Sequence, residues 1–83
     1  MRILYFARVR QIVGRGEEQI EVPGGVKTVS GLIDFLKSRD AGCAAAFADM
    51  RTIRAAVDKA HAPLGASIAG AREVAFFPPV TGG

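Results

Sequence analysis

The sequence predicts an α+β two-layer domain, a sheet of four or five strands packed on one main helix. Three observations carry this. Both chain ends, Ile3-Leu4-Tyr5-Phe6 and Val74-Ala75-Phe76-Phe77, are apolar and mostly β-branched or aromatic, as largely buried strands favour. In mid-chain, Val29, Leu32, Ile33 and Leu36 recur at i, i+3, i+4 and i+7, an apolar helical stripe that faces a sheet. Glu17–Val22 alternates, with Glu18, Ile20 and Val22 on one face and Glu17, Gln19 and Glu21 on the other. That pattern marks a half-exposed antiparallel strand with Ile20 and Val22 inward.

In chain order, residues 2–7 read as the first strand. Val9, Ile12 and Val13 then stand at helical spacing, so residues 7–13 form a short helical turn that Gly14 stops. Arg15-Gly16 continues the turn into the alternating strand at residues 17–22. The first two strands thus form a hairpin with an elaborate connection. Pro23-Gly24-Gly25 breaks the second strand. Thr28 is a good N-cap for the main helix, Phe35 widens its stripe, and Lys37 and Arg39 suit the negative end of its dipole. Ala41-Gly42 is expected to end it. Gly31 inside this helix costs about 1 kcal/mol against alanine, with no reason visible in the sequence. Residues 43–50 are alanine-rich and read as a second, short helix anchored by Phe47 and Met50. Residues 52–57 read as a strand with Ile53, Ala55 and Val57 on one face, and residues 59–62 as a further short strand. Pro63-Leu64-Gly65 turns the chain, Ile68 plugs the core from a loop, and residues 72–77 form the last strand, with Val74 and Phe76 on one face and Glu73, Ala75 and Phe77 on the other.

Length and composition bound the function. A chain of 83 residues makes one domain with a thin core, burying only about 60–65% of its unfolded surface. No run approaches the ~20 apolar residues that cross a bilayer, and no basic segment followed by a long apolar stretch marks a secretion signal. Cys43 is the only cysteine, which excludes an internal disulfide and a four-cysteine metal or iron–sulfur site built from this chain alone. The expected location is the cytoplasm, with no membrane partner. Net charge is +3 with a pI near 9.6, but only Arg8, Arg10 and Arg15 cluster, so the basic residues read as a solvated surface without a nucleic-acid role.

The ending Phe76-Phe77-Pro78-Pro79-Val80-Thr81-Gly82-Gly83 is the most distinctive stretch. Two prolines forbid a continuing sheet interior and push the residues before them toward extended geometry. The expected division is a domain at residues 1–77 and a flexible extended tail at residues 78–83. That tail can span roughly 20 Å at ~3.3 Å per residue. Two glycines without Cβ atoms fit a narrow channel. The one distinctive chemical group is then the Gly83 carboxylate, which becomes an electrophile once adenylated.

The stretch from Val74 to Gly83, with Phe6-Ala7-Arg8-Val9-Arg10-Gln11-Ile12-Val13-Gly14 near the start, resembles the MoaD/ThiS family of ubiquitin-like sulfur carriers, the small subunits of molybdopterin synthase among them. The resemblance spans the chain at matching length. It implies the ubiquitin-like β-grasp fold, with a mixed sheet whose first and last strands lie parallel and central. It also implies a chemistry. An adenylyltransferase/sulfurtransferase partner, using ATP and magnesium that this chain does not bind, activates Gly83, and sulfur transfer then makes a thiocarboxylate. Pro79, Val80, Thr81 and Gly82 insert into the large synthase subunit, and sulfur passes to cyclic pyranopterin monophosphate to build the molybdopterin dithiolene. Two carriers on a dimer of the large subunit form the expected assembly.

Phe6 and Arg10 match positions of the family's N-terminal motif, and Phe77 adjoins the tail, so these three are candidates for the partner-docking face. Phe6 reads equally as a core residue. Two departures stand out: Gly70-Ala71-Arg72 replaces the family's common Asp-Gly-Asp turn, and Val57-Asp58 its common Val-Asn. The basic balance also departs from a family that is often acidic.

No catalytic constellation accompanies this. One histidine, His61, excludes a histidine-rich metal site and reads as a surface or edge residue. Asp34, Asp40, Asp49 and Asp58 lack paired-carboxylate or metal-loop spacing, and neither a P-loop nor a nucleophile elbow is present. Cys43, with no basic neighbour in sequence, reads as a packing residue. The chain is therefore expected not to be an enzyme alone. Three alternatives stay open: a thiamine-pathway carrier, for which a shorter chain without Phe-Phe-Pro-Pro is expected; a ubiquitin-like modifier that joins Gly83 to lysines; and, remotely, a basic RNA-binding module.

Overall fold

A computed structural model describes residues 1–79. Its elements run β1 (Arg2–Tyr5), α1 (Ala7–Val13), β2 (Glu17–Gln19), α2 (Val29–Arg39), α3 (Ala41–Ala46), a 3₁₀ turn (Met50–Thr52), β3 (Arg54–Val57), β4 (Ala60–Ala62) and β5 (Glu73–Phe77). The sheet order is β2-β1-β5-β3-β4. β1 and β5 pair in parallel, with Ile3 opposite Val74 and Tyr5 opposite Phe76, and the other pairs are antiparallel. This is the expected β-grasp arrangement, a five-stranded mixed sheet on one main helix.

Alternation decides what each strand residue does. Ile3, Tyr5, Ala55, Val74 and Phe76 share one core with Val29, Leu32, Ile33 and Leu36 of α2, and Ile20 and Ile68 complete it from the connections. Phe47 closes the end of the core, its ring edge-on to Phe76 at 5.0 Å between centroids.

Several boundaries differ from the sequence expectation. β1 ends at Tyr5, because Phe6 is already the N-cap of α1 and Ala7 turns the chain in the left-handed region at φ 51°. Gly14, at φ 92°, ends α1 where a residue with a Cβ would be strained. β2 is three residues long and does not reach Val22. Beyond it, Met1 and Ile20 exchange two further backbone hydrogen bonds at 2.8 and 2.9 Å, after which the pairing stops. α2 stops at Asp40, not at Ala41-Gly42. The Asp40 carboxylate accepts the Cys43 N–H at 2.8 Å and caps α3, which contains both of those residues. Thr28 caps α2 as expected, its hydroxyl accepting the Gly31 N–H at 3.0 Å.

Candidate functional site

Helices cover one face of the sheet. The other face carries the alternate residues Arg2 and Leu4 of β1, Glu73, Ala75 and Phe77 of β5, Arg54 and Ala56 of β3, and His61 of β4. Ala75 and Ala56 are each 8% exposed yet lie outside the core cluster, so small residues keep the middle of this open face low and apolar. Phe6 prolongs β1 beside β5, its N–H donating to the Phe76 carbonyl at 3.0 Å. Its side chain is 48% exposed, which excludes the core reading. An exposed aromatic beside a smooth apolar strip has the composition of a docking surface.

Phe6 and Arg10 are brought together in one shallow recess with Arg2, Leu4, Gly16 and Glu17. Phe77 is not part of that recess. It is half-buried across β5, opposite Arg54 in the ladder, with the His61 ring edge-on at 5.2 Å. His61 therefore stands on an edge strand as expected, but it also flanks a candidate site residue. That contact was not readable from sequence spacing.

Gly16 is a second residue that sequence reasoning missed. A Cβ there would fall 3.1 Å from both Cζ and Nε of Arg10, so the Arg10 guanidinium lies against the Gly16 backbone. The Gly16 carbonyl in turn accepts the Tyr5 N–H at 2.9 Å. The sequence marked Gly16 only as a turn; the approach of a side chain six residues upstream depends on how α1 folds back.

Below the recess a polar cluster ties the β1–α1–β2 connection to the α2–α3 corner. Tyr5 donates its hydroxyl to Glu18 at 2.7 Å, Arg15 donates to both Glu18 and Asp40 at 2.7 Å, and Arg39 donates to the second Glu18 oxygen at 3.1 Å. Burial alone would push the Glu18 carboxyl up, but the Tyr5 hydrogen bond and the two guanidiniums together hold it below its ordinary value. Asp40 is also held low, by the Cys43 N–H and then by Arg15. Burial and the Glu18 carboxylate push the Tyr5 phenol well above its ordinary range, so it stays a donor. Cys43 lies fully buried beside this cluster, its sulfur 3.7 Å from the Tyr5 hydroxyl and from Arg15. A basic group does reach the thiol from across the fold, yet burial still raises its pKa. The thiol is thus a packing group, with neither exposure nor thiolate character.

At the root of the tail, Pro78 closes a narrow groove walled by Arg8, Val9, Ile12, Ala46, Thr52 and Ile53. Pro79 is half-buried. The site residues Val80, Thr81, Gly82 and Gly83 lie outside the described residues. Among the described residues no cluster of three or more His, Cys, Asp or Glu could hold a metal ion, and no helix is long and apolar enough to cross a membrane.

The ThiS family profile matches residues 3–83. The molybdopterin synthase sulfur carrier subunit of Escherichia coli (strain K12) is 35% identical over 83 residues, covering 100% of this chain and 99% of the relative. Among solved structures, a putative molybdopterin converting factor subunit 1 from Pyrococcus furiosus superposes with a TM-score of 0.69 at 30% identity, over 95% of each chain. SAMP1 from Haloferax volcanii superposes with a TM-score of 0.69 at 26% identity, over 99% of this chain and 97% of its own.

Proposed function

The chain belongs to the ThiS family of ubiquitin-like sulfur carriers, and from that premise we propose that it is the small, sulfur-donating subunit of a molybdopterin synthase. The observation that carries the pathway assignment is the end-to-end match to a relative of that name, in a chain ending Phe-Phe-Pro-Pro-Val-Thr-Gly-Gly. In this reading the Gly83 carboxylate attacks the α-phosphate of ATP on an activating partner, which also holds the magnesium. Pyrophosphate leaves, and a Gly83–AMP mixed anhydride forms. A sulfur donor displaces AMP and leaves a thiocarboxylate. The tail from Pro79 to Gly82 then delivers that sulfur to cyclic pyranopterin monophosphate inside the large subunit, and two deliveries make the dithiolene.

The fold supports this division of labour. The described part offers a five-stranded sheet built on a single core, with one face uncovered by helices, and Phe6, Arg10 and Phe77 are the anchors we assign to docking. The large subunit supplies the pterin site and the catalytic side chains, with two carriers on a dimer of that subunit. The chain alone turns nothing over.

The test is an intact mass after incubation with ATP, magnesium, the activating enzyme and a sulfur source. The expected product carries sulfur in place of one Gly83 oxygen. Deleting Gly83 shortens the reach by ~3.3 Å, and ~1 Å of misplacement at a reacting centre can cost on the order of a hundredfold. That deletion, an added residue beyond Gly83, and Gly82→Val should each abolish molybdopterin synthesis while circular dichroism stays unchanged. Full activity of the unclipped extended chain would sink the carrier reading. Isopeptide-linked Gly83 conjugates in cells, without molybdopterin synthesis, would make the chain a modifier instead.

A further inference from the structure

We propose that Arg8 and Arg54 form a cationic collar at the root of the tail that selects a protein partner with carboxylates around the mouth of its tail channel. This rests on the carrier reading above and adds which partner surface the carrier accepts.

Arg8 of α1 and Pro78 wall the same groove, together with Thr52 and Ile53. Arg54 of β3 stands opposite Phe77 in the ladder, and its guanidinium donates to the Ile53 carbonyl at 2.9 Å, on the wall of that groove. The tail therefore leaves β5 between an arginine from a helix and an arginine from a strand. Both side chains are exposed.

Neither has a carboxylate within ion-pair distance among the described residues. Glu17 is taken by Arg2, Glu18 by Arg15 and Arg39, Asp40 by Arg15 and Asp49 by Arg51. The Asp58 carboxylate accepts the Arg72 and Glu73 N–H groups, and Glu73 lies opposite Arg2 at the far end of the open face. Among the described residues, two cations without a carboxylate partner thus stand at the root of a tail that carries no charged side chain from Pro78 to Gly83. The tail offers no side-chain charge to read, only its terminal carboxylate; its root offers two cations.

Unpaired charges at the rim of an apolar docking strip act on encounter and on rejection of wrong partners more than on affinity. A mouth ringed with carboxylates would draw the collar in and orient the tail; a basic mouth would repel it. A protein fits better than a nucleic acid, because the apolar Phe6, Ile12 and Phe77 interrupt the arginines and no row of exposed aromatics offers a stacking platform.

The experiment measures association of the full-length chain with the large synthase subunit of the same organism by stopped flow, at low and high salt. Variants are the double reversal Arg8→Glu/Arg54→Glu, the exposed control Lys27→Glu and the anchor variant Phe77→Ala. The double reversal should slow association roughly tenfold or more at low salt, with the gap closing at high salt. Its dissociation rate should change little, and Lys27→Glu should stay near the parent rate. Phe77→Ala should instead speed dissociation. Equal slowing by Lys27→Glu would reduce the effect to net charge and overturn the collar. So would an unchanged rate in the double reversal while Phe77→Ala still weakens the complex, which leaves the carrier reading standing. If the parent chain does not bind the large subunit at all, the carrier reading falls and the collar with it. Retention on an RNA column that the double reversal abolishes, with protein association unaltered, would assign the arginines to nucleic acid and refute the proposal.

Discussion

Phe76 and Phe77 are neighbours on β5 and face opposite layers. Phe76 is fully buried, stacked beside Tyr5 at 6.3 Å and edge-on to Phe47 at 5.0 Å. Phe77 is half-buried, touches the His61 ring and stands opposite Arg54. One residue step separates a side chain that makes the fold from one that lies on the surface where the fold meets its surroundings. The small core is concentrated on one face of the sheet, which leaves the other free to carry apolar groups that the core does not need. Phe76→Ala should therefore cost ~3–5 kcal/mol, a large share of the ~5–15 kcal/mol typical of a whole domain. Phe77→Ala should leave stability within about 1 kcal/mol and weaken partner docking by ~1–3 kcal/mol. Urea unfolding of both variants, alongside a binding titration, checks the pair. Equal destabilisation would break the two-face picture.

A second contrast lies in two glycines. A Cβ on Gly42 would come within 2.8 Å of the Val13 carbonyl, backbone against backbone where α3 crosses α1. A Cβ on Gly16 would meet only the movable end of Arg10, at 3.1 Å. Gly42→Ala should thus cost ~1–3 kcal/mol by forcing the helices apart. Gly16→Ala should barely shift the melting temperature, yet it should weaken docking as Arg10→Ala does. The double variant should be no worse than either alone, since both remove the same placement of the guanidinium. Additive losses would separate Gly16 from Arg10.

Acid should reach the fold through the cluster beneath the recess. Glu18 and Asp40 have depressed pKa values in the folded chain, so the unfolded chain binds their protons at higher pH than the folded one does. Unfolding free energy therefore rises with pH across that range. Their contribution is complete above roughly pH 5, beyond the ordinary carboxylate values, and is lost as pH falls through the lower folded values. Urea midpoints between pH 3 and 6 should show this slope, and Glu18→Gln should flatten it. An unchanged slope in that variant would mean the cluster does not couple the β2 turn to the α2–α3 corner.

How much of this was legible in the sequence depended on range. Local signals held: the Thr28 cap, the Gly14 stop, the four-residue stripe of α2 and the alternation that puts Val74 and Phe76 inward all depend on residues within one or two turns of each other. Boundaries set by competing or long-range signals did not. The break at Asp40 comes from a local capping bond to Cys43 that competes with the helical run, and the end of β2 from its pairing with β1 across the intervening helix. The cluster of Tyr5, Glu18, Arg15 and Asp40 joins residues up to 35 positions apart in sequence, and no spacing rule points to it. The placement of Arg10 on Gly16 and of His61 on Phe77 was invisible for the same reason.

Gly31 gives the smallest and cleanest test. The sequence offers no reason for a glycine inside α2, and the structure removes the usual ones. It is the third residue of the helix, with ordinary helical backbone and no positive φ. A Cβ there would meet only the Thr28 hydroxyl at 3.4 Å and a Val26 methyl at 3.7 Å, both ordinary contacts. Its N–H donates to Thr28 at 3.0 Å, and alanine keeps that donor. Gly31→Ala should therefore stabilise the chain by ~0.5–1 kcal/mol, because alanine loses less backbone freedom on folding. For a domain of this size that is a rise of about 2–8 °C in melting temperature. Because α2 packs on the covered face, docking through Phe6, Arg10 and Phe77 should be unaffected. A higher melting temperature with unaltered binding would show that stability and recognition can be changed separately in this fold. A lower one would mean that a methyl group beside the Thr28 hydroxyl disturbs the cap despite the ordinary 3.4 Å contact. Weakened binding at unchanged stability would show that the helix layer and the open face are coupled, and the contrast between Phe76 and Phe77 would then no longer describe two independent surfaces.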